Sequence, residues 1–205
     1  MPADTLSSKG KQTRRAIEQA ARKLFAERGF HGTTLADITS AAGKSPAVFY
    51  RYFDDKEGLL AALAESFLRD VVTPSGLLVR LPDSPDDTDF FTGVVTGYWN
   101  MFKQNIGIMI AVAQLGATQP RFAMVQNEFR CFGMKIVAAT VRHAQEQGYG
   151  GELNPEHIAV ALALLFEQFT AVLLRPEASR LGVPVTDADA IETLSTIWKK
   201  TLYGF

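Results

Sequence analysis

The chain has 205 residues, 47% of them hydrophobic and 21% charged, and carries a formal net charge of −1. That composition suits a soluble globular protein with a sizeable core, arranged as one domain or two small ones. It excludes a disulfide framework, since Cys131 stands alone.

The longest apolar stretch, residues 158–174, is interrupted by Glu167 and Gln168. It falls short of the ~20 residues a membrane helix needs. No apolar signal-peptide core follows the start, so a cytoplasmic protein without a membrane partner is expected. The net charge hides an asymmetry: residues 1–60 carry +3 and the remainder −4. The excess comes largely from Lys9, Lys11, Arg14 and Arg15, a basic N-terminal arm ahead of the first long apolar pattern.

Ile17, Ala20, Ala21, Leu24 and Phe25 recur at helical spacing and predict a helix over 13–28, closed by Gly29. Thr34 through Asp37 reads as a capping box that opens a short second helix over 34–41, ended at Gly43. Ser45 and Pro46 restart the chain as a third helix, because proline in the first helical turn loses no hydrogen bond. Asp54-Asp-Lys-Glu57 then starts a fourth helix near Asp55, carrying Leu59, Leu60, Leu63 and Phe67. Residues 73–88 hold three prolines and three aspartates and are expected to form a loop.

The helical pattern resumes at Phe90, Phe91, Val94, Val95, Tyr98, Trp99 and Phe102, and residues 106–115 are short and almost wholly apolar. Residues 120–148 carry two stripes. Phe122, Val125, Phe129, Phe132 and Ile136 line one side; Met124, Cys131, Met134, Val137 and Val141 line roughly the opposite one. A helix apolar on two faces is expected inside its domain, with Cys131 as a core thiol. Asn154-Pro155 caps another helix, and Thr186 or Asp187 starts the last. No trustworthy strand alternation and no internal repeat appear, so the fold class is all-α.

Three short helices with a glycine turn between the second and third describe a helix-turn-helix. Phe49 and Phe53 are expected to point inward, while Pro46, Ala47, Tyr50 and Arg51 face a DNA major groove. Lys44, Tyr52 and Lys56 sit at the edges where phosphates pass, beside the cap residue Ser45. Thr33 and Thr34 can offer hydroxyls and amides to another phosphate.

From Ala16 to Leu60, with "FAERGFHGTTLADITSAAGKSPAVFYRYFDDKEGLL" at its centre, the chain resembles the DNA-binding domain of the TetR family of transcriptional regulators. The likeness rests on the Gly-Phe pair, the Thr-Thr pair, the Ala-Ala-Gly turn, Phe49-Tyr50, Phe53 and Lys56-Glu57. Lys44 stands where that family usually has an apolar residue, and Ala47 where glycine is frequent. The resemblance implies a helix-turn-helix domain over 1–54 and a larger helical effector-binding and dimerisation domain over 55–205. It implies further a repressor that leaves a palindromic double-stranded DNA operator when a small effector binds.

Trp99, Phe102, Met109, Phe122, Met124, Phe129, Met134 and Phe166 are each plausible core, and together admit a pocket for an apolar effector. Charged groups over 90–138 are few, namely Lys103, Arg121, Glu128, Arg130 and Lys135, which disfavours a highly charged ligand. A homodimer is expected through the last two helices, on faces carrying Ala159, Ala163, Phe166, Thr170, Leu194 and Trp198. No catalytic, metal-ligating or cofactor motif is found: His31, His143 and His157 are scattered, and no Gly-x-Ser-x-Gly or phosphate-cradling loop occurs. A helical carrier or scaffold for an apolar ligand is the alternative, but it leaves Lys44, Tyr50, Arg51 and Lys56 without a task.

Overall fold

The computed structural model describes residues 7–72, 80–175 and 182–204. Every regular element among them is helical: α1 (Ser8–Arg28), α2 (Leu35–Ala41), α3 (Pro46–Phe49), α4 (Lys56–Val72), α5 (Thr88–Gln104), α6 (Ile106–Gly116), α7 (Pro120–Glu146), α8 (Pro155–Leu173) and α9 (Asp187–Tyr203). The expected loop over 73–88 lies outside the described residues for 73–79. Its remainder is irregular up to α5, with Arg80 paired to Asp83 and Asp87.

Side chains of the residues that precede them start most of these helices. Ser7 accepts from the Gly10 amide and so begins α1 five residues earlier than the apolar pattern predicts. The basic arm is thus helical from Ser8 onward. Thr34 and Asp37 cap each other at α2, and Thr186 with Asp189 repeats that box at α9. Ser45 and Asn154 cap α3 and α8, each followed by proline.

Two compact units result, one from Met1–Val71 with Asn105–Gln126, the other from Val72–Gln104 with Asn127–Phe205. In the first, α4, α6 and the start of α7 pack with the three N-terminal helices around Ile17, Phe25, Ile38, Phe49, Leu60 and Phe122. Gly107 marks the approach of α6 to α1. A side chain there would meet the Phe25 and Ala26 backbone at 2.5 Å, so only glycine fits. Arg22 on α1 donates to the Asn105 side-chain amide oxygen at 2.8 Å beside this crossing.

In the second unit, α5, the rest of α7, α8 and α9 enclose Phe90, Phe91, Val141, Leu162, Leu194 and Trp198. Phe91 meets the Trp198 ring edge-on at 5.3 Å, and the Trp198 indole donates to Thr140 at 3.2 Å. Arg130 on α7 grips Glu167 on α8 through two hydrogen bonds of 2.5 and 2.8 Å, which lets a carboxylate sit in an apolar helix.

Two sequence expectations are corrected here. On α7, the second apolar stripe is buried only towards its C-terminal half, at Val137 and Val141. Met124 is 62% exposed and Cys131 is exposed, so no helix among the described residues covers that side of the earlier turns. On α8, Ala159, Phe166 and Thr170 are buried within the chain, as are Leu194 and Trp198 on α9, so they are core rather than a dimer face. The large apolar residues exposed on α8 are instead Val160, Leu164, Leu165 and Val172. By length and composition alone, α8 passes for a membrane-crossing helix, although its other face is buried in this unit.

Candidate nucleic-acid interface and effector region

The α2–α3 turn is built from backbone bonds. The Lys44 amide donates to Thr39 at 2.8 Å and the Gly43 amide to Ser40 at 3.0 Å, a pairing that requires a left-handed residue between them. Gly43, at φ 63°, supplies it. Pro46 then opens α3, and the chain stays turned through Tyr52 and Phe53, whose amides both donate to the Phe49 carbonyl.

This turn separates α3 into two faces. Phe49 and Phe53 are buried, with rings 5.5 Å apart, and the Arg14 guanidinium lies 5.2 Å over the Phe53 ring. Pro46, Ala47 and Arg51 are exposed, and Tyr50 is 58% exposed. A large aromatic and a cation are thus held in solvent by residues locked into the core beneath them. Lys44 and Tyr52 are half-buried at the edges, Tyr52 packed against the core.

Three other expected phosphate contacts have work inside the protein. Thr33 is 0% exposed, and its hydroxyl donates to Gly29 at 2.8 Å, so it is a core residue and not a surface donor. Thr34 is exposed, but its hydroxyl and amide both donate to Asp37, at 2.5 and 2.8 Å. Those bonds, the hydroxyl first, hold the Asp37 carboxyl below its ordinary range. The Lys56 ammonium donates to Phe30 and Thr33 carbonyls at 2.7 Å each and lies 4.3 Å over the Phe30 ring. Burial draws its pKa down. Two of its three donors therefore fasten the turn between α1 and α2.

The expected effector residues do not all gather. Met109, Phe122 and Met124 belong to the first unit, where Phe122 is sealed in the core and Met124 lies in solvent. Trp99, Phe102, Phe129, Met134 and Phe166 belong to the second. There the Tyr98 ring contacts Phe102 and Phe166 at 5.8 Å each and stacks on Phe129 at 6.5 Å. Sequence reasoning passed over Tyr98, Glu167 and Thr170, because each sits within an apolar stripe that reads as packing. A separate cleft of about 480 Å³ lies between α5 and α9, floored by Phe91 and Ile191 and rimmed by Thr88, Glu192 and Lys199. None of the expected effector residues lines it.

A capped three-helix unit with an exposed aromatic and cation at the end of its third helix is the architecture of a helix-turn-helix DNA-binding protein. The family model for bacterial regulatory proteins of the tetR family matches residues 17–63, the span that builds this face. The chain is 25% identical over 195 residues to the HTH-type transcriptional regulator UidR of Escherichia coli K12, covering 93% of this chain and 95% of that protein. It is 29% identical over 194 residues to the HTH-type transcriptional regulator EthR of Mycobacterium tuberculosis H37Rv, covering 92% and 86%. The fold is similar to that of GusR from Salmonella enterica, with a TM-score of 0.65 and 22% identity over 96% of this chain and 98% of that one. Residues 17–63 are thus a DNA-binding domain of the tetR family of bacterial regulatory proteins, in a chain similar over nearly its whole length to HTH-type transcriptional regulators.

Proposed function

We propose that the protein is a homodimeric repressor, acting in the cytoplasm where its DNA lies, that holds a palindromic operator and leaves it when a small, largely apolar molecule enters the second unit. One observation carries the DNA half of this reading: α3 and the turn that follows it present Pro46, Ala47, Tyr50 and Arg51 to solvent around the buried Phe49. Arg51 suits a guanine edge, and the Ala47 methyl suits a thymine methyl. Lys44 and the exposed α1 cations Lys9, Lys11 and Arg15 suit phosphates. Residues 1–54 carry this contact, and residues 55–205 carry the dimer and the effector.

The dimer is supported by the apolar stripe of Val160, Leu164, Leu165 and Val172 on α8, which a second copy would cover. Two-fold symmetry then demands two half-sites of inverted sequence. The switch requires an effector with higher affinity for a dimer whose recognition helices no longer match successive major grooves. The apolar effector is supported by the aromatic walls around Tyr98 and by the neutralisation of Glu167 by Arg130. No enzymatic role is proposed.

Selection of bound duplexes from a random pool, followed by sizing of the complex, tests the reading. The expected result is enrichment of an inverted repeat bound by a species of about twice the 22.5 kDa chain mass. Enrichment of asymmetric sites by a monomer would overturn the dimer. No duplex binding at moderate salt would return the carrier reading.

A further inference from the structure

Four buried polar groups among the described residues close no hydrogen bond: the Tyr98 and Tyr203 hydroxyls, the Thr170 hydroxyl and the Trp99 indole. Two of them act on each other. Tyr98 on α5 and Thr170 on α8 bring their hydroxyls together inside the second unit, yet not at hydrogen-bonding geometry. Burial pushes the Tyr98 phenol well above its usual range; the Thr170 hydroxyl opposes that rise and the Glu167 charge adds to it.

An unpaired buried hydroxyl lowers stability, since it gave up water and gained nothing. Phenylalanine and valine would fill the same two places without that penalty. A pair of such hydroxyls facing each other between aromatic rings is therefore a half-made binding site. Phe102, Phe129 and Phe166 supply apolar walls around it. The nearby carboxylate of Glu167 is already held by Arg130, so neither charge calls for an ionic ligand.

We propose that the effector is a neutral carbonyl compound with an apolar body, whose oxygen accepts hydrogen bonds from both the Tyr98 and Thr170 hydroxyls. This rests on the effector reading above and adds the chemistry of the ligand. A carbonyl oxygen has two lone pairs, enough for both donors. A carboxylate would bring its charge towards Glu167, whose partner is already engaged, and is disfavoured.

Two measurements test the assignment. In the ligand-free protein, Tyr98→Phe and Thr170→Val should each raise the melting temperature, by roughly 2–4 °C. A fall for both would show that the hydroxyls are already satisfied and would overturn the proposal. The second measurement compares n-butylbenzene, butyrophenone and 4-phenylbutyrate, three probes with ten carbons each, by calorimetry on the full-length protein. Butyrophenone should bind about tenfold more tightly than butylbenzene, the worth of one good hydrogen bond, and phenylbutyrate most weakly. In the Tyr98→Phe/Thr170→Val double variant that preference should vanish while butylbenzene affinity stays. Equal binding of the two neutral probes to the unmodified protein, or a preference that survives in the double variant, overturns the carbonyl assignment and leaves an apolar effector standing. Failure of both neutral probes to bind overturns the effector reading as well.

Discussion

Gly107→Ala should destabilise the DNA-binding unit, against the usual direction for glycine-to-alanine in a helix. The added methyl would stand 2.5 Å from the Ala26 nitrogen and the Phe25 carbonyl carbon, and 2.8 Å from the Ala26 Cα. All three are backbone atoms of α1, so no rotamer change relieves them. Reaching ordinary contact at 3.4 Å means moving α6 from α1 by about 0.9 Å, which strains the Arg22–Asn105 bond beside it. Overpacking of this kind costs about 1–3 kcal/mol, and more where backbone is the obstacle. Better helix propensity returns up to ~1 kcal/mol, less so near a helix start. The net is a loss of about 2 kcal/mol, or a fall in melting temperature of roughly 4–8 °C. Gly93→Ala and Gly97→Ala on the exposed side of α5 are the matched controls, since a side chain there meets nothing within 4 Å. Each should stabilise by ~0.5–1 kcal/mol. Thermal unfolding followed by circular dichroism reads all three. A Gly107→Ala protein that melts at or above the parent would refute the close approach of α6 to α1.

Arg51→Ala should relax preference at one operator base pair and cost on the order of 1–3 kcal/mol on the selected site; equal losses on operator and random duplex would assign Arg51 to a phosphate instead. Lys56→Met should lower the melting temperature through the loss of two ion–carbonyl bonds, by about 2 kcal/mol after allowance for its partial exposure. Its folded fraction should keep most of the salt dependence of DNA binding, and a drop of one full counterion in that slope would count against a positioning role. Asp37 has a folded pKa below its ordinary value, so its contribution is present above about pH 4 and is lost as pH falls through the lower folded value. Asp37→Asn should therefore flatten the acid limb of melting temperature against pH, and an unchanged limb would place the acid sensitivity elsewhere. Leu164→Glu, on the exposed stripe of α8, should yield monomers in analytical centrifugation, with unchanged helicity and weakened operator binding; an intact dimer would move the interface off this stripe.

The capping pairs Thr34–Asp37 and Thr186–Asp189, the Gly43 turn, the Ser45-Pro46 and Asn154-Pro155 starts and the inward Phe49 and Phe53 were all legible in the sequence. Each depends on residues within a few positions of one another, where backbone geometry and side-chain reach leave one solution. The same locality made the exposed side of residues 46–51 readable, since one turn of helix decides which of its residues point together.

Tertiary packing decided what the sequence left open, namely which of several apolar surfaces is inside. On α8 both sides are apolar, so period alone cannot choose between Ala159-Phe166-Thr170 and Val160-Leu164-Val172; the packing of α8 within its unit makes the choice. Met124 and Cys131 read as core and lie in solvent, since no helix among the described residues covers that side of α7. Thr33 and Lys56 read as phosphate donors, yet their hydrogen bonds run to Gly29, Phe30 and Thr33 carbonyls. Tyr98 and Thr170 stand 72 positions apart on α5 and α8, and only packing brings their hydroxyls together. Burial and hydrogen-bond satisfaction belong to the neighbours a residue acquires in space, and those neighbours lie far along the chain.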